Sequence, residues 1–136
     1  DVRARLTNCK QFQLRPYNKI RKPVDLYFEH LVAMAFELEH VRAQLVPLLS
    51  LPLDSQILAS TAIFADEELY GYGLSRSSTY QDVATERTYT GMQELLIQKA
   101  TAIGDVRGVP FHVIYFDLIW NNRFCKPGGN LFETNP

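Results

Sequence analysis

Apolar residues recur at steps of three and four along the first half of the chain, which is the spacing of a helix with one oily side. From residue 25 the series runs Leu26, Tyr27, Leu31, Met34, Leu38, Val41 and Leu45, one broad stripe centred on Leu31, Met34 and Leu38. Asp25 is placed to cap such a helix after Pro23, and Pro47 cannot continue it because it lacks an amide donor. The pattern therefore predicts a helix over about 25–47, its stripe packed into a core. A second helix is expected over about 54–70, capped by Asp54 and carrying Ile57, Leu58, Phe64 and Leu69. Gly71 and Gly73 close it in a loop. Ser78 and Gln81 match a capping box, so a third helix is expected over about 79–103 with Gly104 as its stop.

After Pro110 the pattern changes. Residues 111–120 are rich in β-branched and aromatic side chains, which favours a buried strand, with a short helix as the competing expectation. Residues 121–136 contain Asn, Pro and Gly and read as a tail. Residues 1–24 show no sustained period and contain Pro16 and Pro23, so they read as an extended arm. The expected fold class is mainly α: a three-helix core in one domain, with an apolar C-terminal segment and extended arms at both ends.

Charge sharpens this picture. Residues 1–24 hold seven basic side chains and one acidic one, whereas the remaining 112 hold seven basic and fourteen acidic. A formal net charge of −1 thus conceals an arm near +6 and a body near −7. Such an arm suits an acidic surface, and Phe12, Arg15, Tyr17, Lys19, Arg21 and Lys22 are its expected partner-binding residues. Basic and aromatic residues together also suit nucleic acid, but the acidic body would repel a long polyanion. No helix-turn-helix, zinc or RNP signature accompanies the arm. Other protein chains are the expected partners.

No apolar stretch reaches the ~20 residues that a membrane-crossing helix needs. Helix one could instead lie on a membrane surface, yet its polar face offers Glu29, Glu39 and His40 with Arg42 as its basic residue. Interfacial helices present Lys and Arg there, so core packing is the reading preferred. The chain begins at Asp1, which fits either removal of a targeting segment or numbering that starts inside a longer product. A processed, secreted or organellar protein is favoured over a cytoplasmic one.

Cys9 and Cys125 are the two cysteines. If paired, they would close a long loop and stabilise the fold by ~4–5 kcal/mol in the chain-entropy model. This supports an alternative reading, a secreted effector or recognition protein closed by that bridge. A third reading is a metal enzyme. Glu37 and His40 have the Glu-x-x-His spacing of carboxylate-bridged metal sites, and on a continuous helix His30 would lie almost in line with Glu37. The second such motif that a dinuclear site needs is missing, so no metal and no cofactor is expected. The serines at 75, 77 and 78 form no Gly-x-Ser-x-Gly elbow, and the loop lacks the Lys-Ser/Thr ending of a phosphate-binding loop. The leading expectation is a non-catalytic subunit of a larger protein assembly, docked through its basic arm.

Overall fold

The computed structural model describes residues 16–133, and they are mainly helical, with no strand among them. Helix α1 spans Asn18–Met34, α2 Arg42–Leu45, α3 Ser55–Ala59, α4 Asp66–Gly71, α5 Glu86–Arg107 and α6 Tyr115–Trp120. Single 3-10 turns occupy Phe36–Val41, Val46–Leu48 and Tyr80–Asp82.

Helix α5 is the central element. Thr85 Oγ1 caps it by accepting from the Thr88 amide at 3.1 Å. Gly108, at φ +70°, ends it in the left-handed conformation that glycine adopts without a Cβ clash. Tyr89, Met92, Gln93, Leu96 and Ala100 recur at three- and four-residue steps and are buried. They meet Leu51, Leu53, Ile57, Leu58, Phe64, Leu69, Val83, Ile114, Phe116 and Leu118 in one continuous core. Phe132 is buried as well, so the tail folds back onto this core.

The mainly helical expectation holds, but tertiary contacts have moved the boundaries of the expected helices and broken two of them. The third expected helix starts at Glu86 rather than 79: the capping box forms at Thr79 and Asp82 instead of Ser78 and Gln81 and closes only a 3-10 turn, and a separate cap, Thr85, opens α5. Asp82 Oδ2 accepts from the Thr79 amide at 2.7 Å, and the turn it caps stays a 3-10 turn. Gly104 is not the stop. It lies inside α5 where Val109 O and Phe111 N cross, 3.2 and 3.3 Å from where a Cβ would sit.

The second expected helix is broken at 60–65. The carbonyls freed there find donors elsewhere: Arg76 reaches Ser60 O and Phe64 O at 3.0 and 2.6 Å, and Lys99 reaches Ile63 O at 2.6 Å. Asp54 caps its first half as expected, accepting from the Gln56 and Ile57 amides. Within residues 111–120 the segment Tyr115–Trp120 realises the helical alternative, and no residue of the stretch is strand. The segment closes on itself because Phe111 packs against Tyr115 and Phe116, with ring centroids 5.4 and 5.2 Å apart.

The largest corrections concern α1. It begins at Asn18, so residues 18–24 of the expected extended arm are helical. Asp25 is a buried residue inside it rather than its cap. The helix carries on through Pro23 because its first turn is anchored from outside: Tyr17 N and Asn18 N donate to Ala84 O and Val83 O. It stops at Met34, where Ala35 turns to an extended conformation, well before Pro47. Arg42 Nε then donates to Val32 O at 2.8 Å and satisfies a carbonyl of the last turn.

Candidate functional site

Leu49–Asp54 runs extended through the interior beside α1, and Leu51 and Leu53 are fully buried. An extended segment without a pairing strand has amides and carbonyls that must be satisfied by side chains. Gln93 accepts from Leu51 N at 3.1 Å and donates to Leu51 O at 2.8 Å. Asn18 Nδ2 donates to Leu53 O at 2.7 Å and to Tyr80 O at 3.0 Å. A helix laid over this segment and the 79–84 loop must therefore turn polar side chains toward them.

Helix α1 does so. Its buried residues are Asn18, Asp25, Glu29 and Val32. Tyr89 Oη donates to Asp25 Oδ2 at 2.5 Å, and an Arg21 amino group donates to Asp25 Oδ1 at 2.8 Å and to Tyr89 Oη at 3.2 Å. Burial raises the Asp25 carboxyl above its usual range, against the pull of Tyr89 and Arg21. Burial, together with the bond to Asp25, pushes the Tyr89 phenol up to about 12. The Arg21 guanidinium is opposed by burial, yet Tyr89 and Asp25 outweigh it and hold the charge more firmly than usual.

One turn further on, no donor reaches Glu29 Oε2. Burial, and then the neighbouring Asp117, push its pKa up to about 8, with Asp54 and Asp25 adding in the same direction. A proton held on Glu29 lets it hydrogen-bond with Asp117 where two carboxylates would repel. Trp120 Nε1 donates to Asp117 Oδ1 at 3.0 Å and steadies that carboxylate.

Polar residues inward mean apolar residues outward. At 100° per residue, Val24, Tyr27, Phe28, Leu31 and Met34 occupy an arc of about 120° on the other side of α1. Tyr27 is 64% exposed, Phe28 50% and Met34 68%. Phe36 and Leu48 extend the surface at 81% and 76%. Half of the twelve exposed large apolar side chains among the described residues fall in the sequence stretch from Val24 to Leu48, and Phe28 and Leu48 of these share one depression. Between α1 and the Leu45–Ser50 segment it deepens into a slot of about 330 Å³. Phe28, Val32, Leu45, Leu48 and Leu49 form its walls, with Arg21 and Asp25 among its lining.

The residues singled out from the sequence fall in different places. Tyr17 stacks on Tyr89 with centroids 5.4 Å apart, Arg21 joins the internal cluster, and Lys22 Nζ lies 4.8 Å from the Tyr80 ring centroid. Lys19, in the first turn of α1, is half-buried. Phe12, Arg15 and Cys9 lie outside the described residues. Cys125 is exposed with a free thiol. His30, Glu37 and His40 do not share a helical face, because the helix ends between the first and the other two. His30 Nδ1 is 2.7 Å from Leu26 O, and Glu37 and His40 lie in the 3-10 turn. Among the described residues no group of three or more His, Cys, Asp or Glu could hold a metal ion, and no helix is long and apolar enough to cross a membrane.

The sequence reading missed the outward face. Its signal was present, since Asn18, Asp25, Glu29 and Val32 share one side of a helix begun at residue 18, but starting the helix at 25 hides the polar stripe. Comparison with protein-family models, with curated proteins and with solved structures returns no match for this chain.

Proposed function

We propose that this chain is a non-catalytic subunit of a protein assembly that docks through the outward face of α1. The observation that supports the reading is the orientation of α1, with carboxyl and amide groups inside and Tyr27, Phe28 and Met34 outside. Exposed aromatic and Met side chains around a slot have the composition of an interface centre. The basic residues in the sequence before α1, Arg15 among them, would favour an acidic partner surface.

The internal polar residues favour an architectural role over a catalytic one. Both oxygens of Asp25 are engaged, by Arg21 and by Tyr89, so the polar groups at the edge of the slot are already committed to one another.

The test is photo-crosslinking in the source cells, with a benzophenone side chain replacing Tyr27 or Phe36 in the full chain and Thr101 on α5 as the control site. A discrete protein adduct at Tyr27 and Phe36, and none at Thr101, is expected. No protein adduct at either position, or the same adducts at all three, overturns the reading.

A further inference from the structure

In two places the fold seats a cation between a carboxylate and an aromatic ring. Arg21 donates to Asp25 Oδ1 at 2.8 Å, and its guanidinium carbon lies 5.1 Å from the Tyr89 ring centroid. Lys99 Nζ donates to Glu68 Oε2 at 2.5 Å and lies 5.5 Å from the Phe64 ring centroid. Helix α4 carries a third carboxylate and ring, Glu67 and Tyr70, both exposed, and no cation of the described residues sits with them. Residues three apart on a helix are neighbours. This pair lines a groove of about 600 Å³ together with Leu74, Ser75 and Ser77. Tyr70 is 83% exposed and Leu74 is buried, so the ring stands open to solvent above an apolar floor.

The groove's own cation does not serve Glu67. Arg76 Nε donates to Asp66 at 2.7 Å, and its two amino groups donate to Ser60 O and Phe64 O at 3.0 and 2.6 Å. Every nitrogen of that guanidinium is engaged, and Asp66 balances its charge. Glu68, the other acid in the first turn of α4, is balanced by Lys99. Glu67 is the carboxylate of that turn left without a counter-charge.

We propose that this groove binds a basic peptide segment of another protein, a lysine or arginine head group seated between Glu67 and the face of Tyr70. The ring quadrupole attracts the cation, and the alkyl stem of such a side chain covers the apolar surface of Tyr70 and Leu74. The groove falls within the range of about 300–1,000 Å³ typical of ligand pockets, which leaves room for residues on either side of the cation. The exposed hydroxyls of Ser75 and Ser77 face those neighbours with hydrogen-bonding groups. Residues 25–136 hold seven basic and fourteen acidic side chains, and that field steers a cationic segment toward the body. The groove shares no residue with the slot beside α1, so this site is separate from the docking face, and the crosslinking at Tyr27 and Phe36 tests that face on its own.

The experiment is an NMR titration of the isotope-labelled full chain with the blocked peptide acetyl-Ala-Lys-Leu-Ala-amide, with its lysine-acetylated form, and with cadaverine. Saturable shifts at the Glu67, Tyr70, Ser75 and Ser77 amides are expected with the lysine peptide, at a Kd below about 1 mM. The acetylated peptide and cadaverine should each bind about threefold more weakly or less tightly still. Glu67→Gln and Tyr70→Leu should each raise the Kd of the lysine peptide about threefold, whereas Tyr70→Phe keeps the ring face and the wild-type affinity. Both side chains are exposed, so all three variants should melt with the wild type.

No saturable shift up to about 10 mM peptide overturns the site, whether the groove is then empty or held by the chain's own basic residues 1–15. Equal binding of the acetylated peptide, or wild-type affinity in Glu67→Gln or Tyr70→Leu, overturns recognition of the cation by this pair. Cadaverine binding as tightly as the lysine peptide overturns the peptide as the occupant.

Discussion

Tyr89 donates its phenolic proton to Asp25 across 64 residues of sequence, at 2.5 Å, and this bond joins the middle of α1 to the first turn of the central helix α5. Arg21 completes the cluster from one turn earlier on α1, and Tyr17 stacks on the same ring. An apolar helix face would have sealed this junction with packing alone. Here charge-assisted hydrogen bonds orient α1, and they set which of its sides faces out.

Tyr89→Phe should keep the ring packing and remove the donor to Asp25. With the carboxylate left one partner short in a buried place, a loss of about 1–3 kcal/mol is expected in urea unfolding. Asp25→Ala should cost more, because Arg21 then sits beside a cavity without its counter-charge. If Tyr89→Phe unfolds at the wild-type midpoint, the junction does not depend on that bond.

Glu29 predicts a pH dependence whose sign is unusual for a carboxylic acid. Its folded pKa is raised to about 8, by burial first and Asp117 second, from an ordinary value of 4.5. The folded state therefore binds the extra proton between those two values, and this group's contribution to stability is fully present below about pH 4.5. The contribution falls as pH rises and is lost once pH passes about 8. Glu29→Gln carries a permanent donor toward Asp117 and removes the dependence. The variant should be more stable than wild type at pH 8 by a few kcal/mol, with the difference shrinking toward pH 5. Parallel stability curves for the two proteins would contradict the assignment.

Gln93→Leu keeps side-chain volume at the buried centre of α5 but strips both partners from Leu51. Two backbone groups then lie unsatisfied in the interior, and a cost of about 2 kcal/mol or more is expected from chemical denaturation. Hydrogen exchange should speed up at the Leu51 amide ahead of the amides within α5. A neutral substitution would mean that the extended segment has other partners.

Gly108 and Gly71 provide a paired control for backbone conformation. Gly108 holds φ +70° at the end of α5, so Gly108→Ala should destabilise by about 1–2 kcal/mol through Cβ crowding alone. Gly71 ends α4 without a left-handed φ and with nothing within 4 Å of an added Cβ. Gly71→Ala should be neutral or slightly stabilising, because alanine has less chain entropy to lose. Equal thermal shifts for the two variants would contradict this account of the α5 terminus.

Local chemistry was legible where a few neighbouring residues decide the outcome. Asp54 caps α3 because its carboxylate meets amides two and three residues ahead, and Pro47 sits in a 3-10 turn after which the chain extends. The buried series from Met92 to Ala100 was visible in part as the apolar period of the third helix. The break at 60–65 was not visible, since the donors that satisfy its carbonyls, Arg76 and Lys99, come from 12 to 36 residues away. The end of α1 at Met34 was equally hidden, because no Gly or Pro marks it and Arg42 supplies the donor.

The sequence by itself determined that this is a mainly helical chain with an uneven distribution of charge, since helical period, caps and charge are properties of short stretches. Only the tertiary structure decided which side of α1 is inside. Periodicity tells that a helix has an apolar face, and the hydrophobic effect alone would bury it. The carbonyls of Leu53 and Tyr80, which take Asn18 as their donor, with Tyr89 opposite Asp25, require polar partners at that place. Leaving those groups unsatisfied costs more than exposing the apolar side, so the polar face turns inward.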